Sequence, residues 1–473
     1  MINNPLPAKK KNDSEKIYDV VVIGSGSGMR IVENAVAAGL STALVDKGPA
    51  GGTCLNLGCI PSKMMIAVAD RVMEIRECER FGITAAVQAV DFPRVMREMR
   101  QAVVPDQQQI HENLRADQRF DFYEGTGSFE DEQTLAVNGI RLRGKDVFVA
   151  AGARPDIPDL EGLNRGDYLT SESLLQLEKL PSRLAIIGGG YIAAEYSHFF
   201  AAMGSKVTIM QRDDRLVPGA EPEVSEALRR AYTKRMTVHT GTTAQKIEKT
   251  AEGYVLIGRE EKSGRTVTVT ADQVLVASGR RSNADLLQVE KGGLAVDSRG
   301  FVQADARFRT SQKNTWAFGD IIGKKMFTHV AYEEAGLAWH NSRNKRQKSF
   351  DYQIVPQAVF SYPQLASAGL TEAEAVRSGY QDLLAGTAAY NEVAKGMALR
   401  ENEGFAKAIV DRAEARIIGF HIIGPQAAVL IQEIVTIMAA GGKLNLLADS
   451  MHIHPALSEL VLKPFNKLAP VSA

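Results

Sequence analysis

Along the chain, short unbroken apolar runs end in glycine-rich turns and are followed by stretches of helical spacing. The first run, Val20-Val21-Val22-Ile23, enters Gly24-Ser25-Gly26-Ser27-Gly28; a helical stretch to about Ala38 follows, and then Thr42-Ala43-Leu44-Val45, ending on Asp46. The pattern recurs as Leu184-Ala185-Ile186-Ile187, Gly188-Gly189-Gly190-Tyr191-Ile192-Ala193, a helical stretch to about Met203, and the run Lys206-Val207-Thr208-Ile209-Met210. Unbroken rather than alternating apolar runs predict strands buried on both faces, so each copy reads as a βαβ unit of a parallel sheet. Glycine suits these turns because the backbone must bend sharply and approach a pyrophosphate, with the free N–H groups of the next helix aimed at it. One such turn is a weak signal; two, each between strand and helix, predict two dinucleotide sites. Met29 stands where a third small residue normally packs helix on strand, so the first helix is expected to be pushed slightly outward.

Two further apolar runs end on glycine, Val147 to Gly152 and Val274 to Gly279, and predict crossings between two nucleotide-binding domains. From about Tyr352 the texture changes to short alternating segments, such as Lys407-Ala408-Ile409-Val410 and Ile417-Ile418-Gly419-Phe420. These predict an antiparallel sheet, joined by a long helix from Gln426 to Ala440. The fold class expected is α/β: two Rossmann-like dinucleotide-binding domains plus a C-terminal α+β domain. Boundaries are a disordered leader at 1–16, a first nucleotide domain at 17–153, a second at 154–280, a return to the first at 281–352, and the last domain at 353–473.

The 473 residues, too many for one core, carry 56 basic and 56 acidic side chains, which excludes electrostatic attraction to nucleic acid or an anionic membrane as the main activity. No apolar run approaches the roughly 20 residues of a membrane span, so none is expected to cross a bilayer. Three cysteines do not make a secreted disulfide scaffold, and the polar leader has no signal-peptide core, so the cytosol is the default location.

Chemistry concentrates in Gly51-Gly52-Thr53-Cys54-Leu55-Asn56-Leu57-Gly58-Cys59-Ile60-Pro61-Ser62-Lys63, directly after the first βαβ unit. Five residues apart on an ideal helix, Cys54 and Cys59 would have Cα atoms about 8–9 Å apart, beyond the roughly 7 Å a disulfide tolerates. If the pair bridges, the helix must be broken, and Gly58 and Pro61 are suitable breakers. A helix starting there would set its positive end beside Cys59 and favour a thiolate. Zinc would need two more ligands, and neither Cys78 nor the histidines show paired spacing, so no metal is expected. An inert structural disulfide is the other alternative.

The string GGTCLNLGCIPSK resembles the redox-active signature of the pyridine nucleotide–disulfide oxidoreductases, and the resemblance runs from about Ile17 to Phe465. It implies that the first domain binds FAD, the second NAD(P)H, and the third forms a homodimer with shared active sites. It implies that Cys59 lies against the flavin and that Cys54 exchanges with a small disulfide or dithiol substrate. Lys63 and Glu195 match the ion pair beside the isoalloxazine, where a cation stabilises reduced flavin. Gly24, Gly26, Gly28, Asp46, Lys47, Gly52, Thr53, Gly152 and Asp320 fall at FAD-binding positions, with Asp46 on the adenosine ribose and Asp320, in Ala317-Phe318-Gly319-Asp320, on the ribityl chain. Gly188, Gly190, Tyr191, Ile192, Arg212 and Gly279 fall at nicotinamide-nucleotide positions, Tyr191 as a gate. His454 and Glu459 match an acid–base pair supplied by the partner subunit; histidine titrates in the range that thiol exchange needs, and a carboxylate fixes its tautomer. His452 is expected to be supporting or structural.

Gln211 stands where an acid would bind the NAD ribose, and Arg212 and Arg215 follow, which leans the reading to NADPH. Asn34 replaces the arginine of glutathione reductases, and the tail Ala469-Pro470-Val471-Ser472-Ala473 lacks the cysteine pair of mercuric reductases. The His-x-His-Pro-x-x-Ser-Glu pattern is most similar to the dihydrolipoamide dehydrogenase branch, with possible membership of a 2-oxoacid dehydrogenase complex. The mycothione reductase branch is the alternative. A non-catalytic nucleotide-binding scaffold is a third reading, which the Cys54/Cys59 and His454/Glu459 pairs oppose.

Overall fold

The computed structural model describes residues 15–164 and 166–471. The expected leader lies outside the described residues except for Glu15 and Lys16, and Lys16 already opens the first strand. The described chain forms two compact units: residues 15–56, 105–154 and 281–350, and residues 57–104, 155–280 and 351–471.

The first unit is built on a seven-stranded sheet. Lys16–Ile23 pairs in parallel with Thr42–Asp46 on one side and Ile140–Val149 on the other, and Thr315–Ala317 adds to Ile140–Val149, also in parallel. Val20, Val21, Val22, Val147, Phe148 and Val149 are wholly buried, as unbroken apolar strands require when helices cover both faces. Helix Met29–Ala37 sets Ile31, Val32 and Ala35 on the sheet, sharing a core with Ala335 and Ala338 of helix Thr328–Arg343. The bulk at position 29 is accommodated differently from expectation. Gly28, not residue 29, faces the strand: a Cβ there would collide with Gly24 O and come within 2.9 Å of Val22 Cγ1. Met29 packs at the edge of the core instead.

The second unit contains the second βαβ pattern, a parallel sheet in the order Thr237–His239, Lys206–Met210, Arg183–Ile187, Gln273–Val276. Helix Tyr191–Met203 is buried from Ala193 to Met203 because Cys59–Arg76 packs on it through Met65, Ala69, Val72 and Met73. The stretch Gly52–Arg76 does reach membrane-spanning length, with mean hydropathy 1.2, contrary to expectation. One face of it, Met65, Ala69, Val72 and Met73, shares a core with Phe199 and Phe200, and the stretch is broken at Gly58.

The C-terminal part is a six-stranded sheet backed by helix Ala427–Ala439, and the two alternating segments pair antiparallel as Phe405–Asp411 and Arg416–Ile423. Their alternation does not mark a wet face. Both strands are buried throughout, because the face carrying Lys407 and His421 is covered as well. Lys407 Nζ sits 2.8 Å from Glu221, 3.0 Å from Glu223 and 3.0 Å from Glu372. Burial opposes its charge, but the three carboxylates outweigh that and hold its pKa above the usual lysine value.

His421, opposite Lys407 in the register, donates from Nε2 to Leu370 O at 3.0 Å. Burial pushes its pKa down to about 4, with the Leu370 bond partly opposing. A histidine with a folded pKa below the unfolded value of about 6.5 binds fewer protons when folded, so its neutral state costs stability as pH falls from about 6.5 toward the folded pKa of about 4. We expect His421 to remove about 2 kcal/mol of stability between pH 7 and pH 5. Urea midpoints at the two pH values test this: the drop should shrink in His421→Gln, and an equal drop in both proteins would place its source elsewhere.

Candidate active site

Both glycine turns solve one steric problem in the same way. Gly24 has φ +103° and Gly188 φ +109°, and a Cβ on either would strike the carbonyl of Ala150 or Ala277, respectively, where the neighbouring strand leaves its sheet. Gly152 and Gly279 follow two residues after those carbonyls, both with positive φ.

In the first unit, Asp46 turns back on the glycine loop. Its Oδ2 accepts from Ser25 N at 2.5 Å and its Oδ1 from Gly48 N at 2.6 Å. Ser25 Oγ accepts from Gly51 N at 2.9 Å, and a Cβ on Gly52 would lie 2.8 Å from Gly26 Cα. The Gly51-Gly52 turn thus lies against the nucleotide loop, with Thr53 and Cys54 next in helix Gly52–Leu57. Gly319, donating its N–H to buried Glu334 at 2.6 Å, brings the Asp320 turn within van der Waals reach of Ser27. Glycine loop, Asp46 and the Asp320 turn therefore converge. The floor at Gly26 is clear of everything nearer than 3.6 Å, and Asp46 retains lone pairs beyond the two used, so these residues fit FAD. Lys47 is exposed beside them.

The cysteine segment is broken, as a bridge between its two sulfurs would require. Helix Gly52–Leu57 stops, Gly58 takes φ −133° and ψ −108°, and a new helix, Cys59–Arg76, begins on Cys59 itself. Pro61 occupies its first turn, where a missing N–H costs nothing. Cys59 is exposed at the positive end of that helix and Cys54 half-buried before the break.

One turn further, Lys63 Nζ lies 2.8 Å from both carboxylate oxygens of buried Glu195, which also accepts from Phe360 N at 3.0 Å. The ammonium sits 4.6 Å over the Phe360 ring. Glu195 is on helix Tyr191–Met203, which starts at Gly190; Gly190 has open space around it, and Tyr191 is partly exposed. Gln211 is buried with its side chain against Gly189 and donates to Asp213 at 3.1 Å and to Arg215 O at 3.3 Å. Arg212 and Arg215 are left exposed, Arg212 with only a 4.0 Å approach to Asp213. Clear space at Gly190 and these cations fit a nicotinamide nucleotide.

His454 Nδ1 is 2.9 Å from Glu459 Oε1, and Ala456 N donates to Oε2 at 3.2 Å. The hydrogen bond from the histidine holds the Glu459 carboxyl below the usual range, and the rest of the His454 ring is exposed. His452 forms a second such pair, Nε2 to Glu433 Oε1 at 2.6 Å, buried and anchored to helix Ala427–Ala439. Sequence reasoning missed Glu433, and it missed the buried Asp70–His198 contact at 2.9 Å. The signal for His198 was available: it is polar, one turn beyond Glu195, in an otherwise apolar helix.

A fold with two dinucleotide turns, a cysteine pair across a helix break and a histidine–carboxylate pair defines a flavin- and nicotinamide-linked disulfide oxidoreductase. The pyridine nucleotide-disulphide oxidoreductase model matches residues 18–335 and the dimerisation-domain model of the same family residues 355–464; the chain belongs to that family. It is 34% identical to mycothione reductase from Mycobacterium tuberculosis over 94% of this chain and 98% of that protein. It is 33% identical to mercuric reductase from Staphylococcus aureus, over 93% and 81%. It is 32% identical to dihydrolipoyl dehydrogenase from Haloferax volcanii, over 94% and 95%. The HOCl-induced flavoprotein disulfide reductase RclA from Escherichia coli superposes with a TM-score of 0.82 at 27% identity, covering 95% and 99%. The cofactors are FAD and NAD(P)H, and the dimerisation-domain match supports a homodimer.

The two glycines of the first turn should separate experimentally. Gly28→Ala overpacks against Gly24 and Val22 and should lower stability by about 1–3 kcal/mol. Gly26→Ala should leave the melting temperature of the apoprotein unchanged but weaken FAD binding. Equal melting shifts in both would contradict this division.

Proposed function

We propose that the chain moves electrons between a nicotinamide nucleotide and a small dithiol or disulfide through Cys54 and Cys59. The first reading is dihydrolipoamide oxidation: dihydrolipoamide and NAD(P)+ give lipoamide, NAD(P)H and a proton. What carries it is the His454–Glu459 pair, 2.9 Å apart, within His-x-His-Pro-x-x-Ser-Glu. His454 Nε2 takes the proton of one substrate thiol, and the thiolate attacks the Cys54 sulfur, breaking its bond to Cys59, which leaves as a thiolate. His454, having released its first proton to solvent, takes the proton of the second substrate thiol; that thiolate closes the substrate disulfide and releases Cys54, which takes this proton back from His454. The helix that begins at Cys59 stabilises the thiolate there. FAD, held by the Gly26 turn, Asp46 and the Asp320 turn, would supply the two-electron relay between the cysteines and the nicotinamide. Each site takes its His454 from the partner subunit of a homodimer.

A second reading, an NADPH-driven reductase of a low-molecular-weight disulfide such as mycothione, runs the same steps backwards. It is favoured by buried Gln211, which offers no carboxylate to a ribose, and by exposed Arg212 and Arg215, which suit a 2′-phosphate. The relation to mycothione reductase supports it too.

Steady-state rates with lipoamide, mycothione, other small disulfides and mercuric ion, each with NADH and NADPH, decide between the readings. Cys54→Ser should keep its flavin and its nucleotide oxidation by artificial acceptors, gain long-wavelength absorbance from the Cys59 thiolate, and lose disulfide turnover. Wild-type disulfide turnover in that variant would refute the order of the two sulfurs.

Arg212→Glu should turn preference toward NADH. Removing a charge-assisted contact of about 1.5–3 kcal/mol changes the ratio of kcat/KM values by about 10- to 100-fold. An unchanged ratio would locate phosphate recognition at another side chain.

A further inference from the structure

The helices Cys59–Arg76 and Tyr191–Met203 are joined at Lys63–Glu195, and they are joined again by a group that the chemistry above leaves unused. His198 is completely buried. Its Nε2 lies 2.9 Å from Asp70 Oδ1, and its Nδ1 lies 3.2 Å from Arg235 Nη1. A guanidinium only donates, so Nδ1 must accept, and the ring proton sits on Nε2 and is donated to Asp70. Burial lowers the His198 pKa and Arg235 lowers it further, against the opposing pull of Asp70. The imidazole is therefore neutral, and one tautomer satisfies both its nitrogens.

The surrounding groups hold that geometry. The ring stacks on Tyr362, centroids 5.6 Å apart. Arg235 Nη2 donates to Tyr362 O at 2.7 Å, and Tyr362 OH donates at 2.7 Å to Glu77, which closes the Cys59 helix. Tyr232, under the Arg235 guanidinium, donates at 2.5 Å to Ala194 O, next to Glu195.

Packing alone does not call for this histidine, since an apolar side chain would fill the space without the cost of burying polar atoms. Its distinguishing property is direction. A helix tied at Lys63 alone can still turn about that point. Asp70, seven residues on, is about 10.5 Å along the axis and on nearly the same face. A second tie at that distance removes the freedom to pivot. Cys59 lies four residues before Lys63 on that face, so any pivot would carry it along.

We propose that Asp70 and His198, backed by Arg235, are positioning residues that fix the Cys59 helix against the Tyr191 helix. They thereby set Cys59 and Lys63 for the electron step, while formation of a mixed disulfide at Cys54, in a separate helix before the Gly58 break, does not depend on them. The roles of Cys59 and Lys63 rest on the function proposed above, but the test uses reduction by the nucleotide alone, so a wrong disulfide substrate does not decide it.

The test takes His198→Leu, Asp70→Ala and His198→Gln holoenzymes through single-turnover flavin bleaching by NADPH and through absorbance spectra of the two-electron-reduced protein. His198→Leu and Asp70→Ala should bleach about ten- to a hundredfold more slowly, the loss expected of a misplacement on the order of 1 Å. Their long-wavelength thiolate absorbance should fall, while Cys54 of the pre-reduced proteins forms its mixed disulfide with a small disulfide at the wild-type rate. His198→Gln, with a donor for Asp70 and an acceptor for Arg235, should recover most of both signals. Asp70 is partly exposed, so its variant reports even if His198→Leu folds poorly. Wild-type bleaching and absorbance in Asp70→Ala, or bleaching and mixed-disulfide formation falling together without recovery in His198→Gln, would overturn the proposal.

Discussion

A lysine half-exposed at the surface and a glutamate buried beneath it bind two helices that begin at different kinds of chemistry. The buried Glu195 carboxylate survives without solvent because Lys63 Nζ bridges both its oxygens at 2.8 Å and Phe360 N donates a third hydrogen bond at 3.0 Å. Removing the cation from such a pair leaves an uncompensated buried charge, which costs about 3–5 kcal/mol. That penalty is what makes the contact a constraint on geometry. The helix of Cys59 and the helix of Tyr191 can slide only as far as the carboxylate stays paired, and the apolar packing of Met65, Ala69 and Val72 follows from that registration.

The same constraint explains why the chain tolerates a broken helix at its most reactive point. A continuous helix through Cys54 and Cys59 would hold the sulfurs too far apart to bond, at Cα distances of about 8–9 Å. Gly58 takes a backbone conformation that ends one helix and starts another. The second helix is then free to be anchored by Lys63, while the first is set by Gly51 and Gly52 against the nucleotide loop. Each sulfur thus takes its position from a different anchor.

Features that depend on local sequence were legible before any coordinates. Glycines at forced turns, a cysteine spacing incompatible with an ideal helix, and a histidine five residues from a glutamate each announce their geometry within a dozen positions. Less legible was whatever is decided by a distant partner. Lys407 looked like the polar half of an alternating strand, and only Glu221, Glu223 and Glu372 make its burial possible. Gln211 read as a missing acid, whereas its packing on Gly189 shows a side chain that braces the loop carrying Arg212. Met29 read as an intrusion into a helix–strand contact that Gly28 in fact makes.

Substrate identity is the property least written into local pattern, and the geometry gives the reason. In the proposed function the exchanging groups are generic: a sulfur, an imidazole held by a carboxylate and a thiolate at a helix end would act alike on any small disulfide. Discrimination must come from side chains that touch the rest of the substrate, and such contacts carry no fixed spacing in sequence. The nicotinamide side differs, because a 2′-phosphate is a charge with a defined place at the end of the second βαβ unit. Arg212 and Arg215 stand exposed there while Gln211 is held inside, all within a five-residue stretch. Relatives named mercuric reductase, mycothione reductase and dihydrolipoyl dehydrogenase are similar to this chain at 32–34% identity. That is the expected result when the electron path is fixed by backbone turns and ion pairs, and the acceptor by whatever surrounds Cys54.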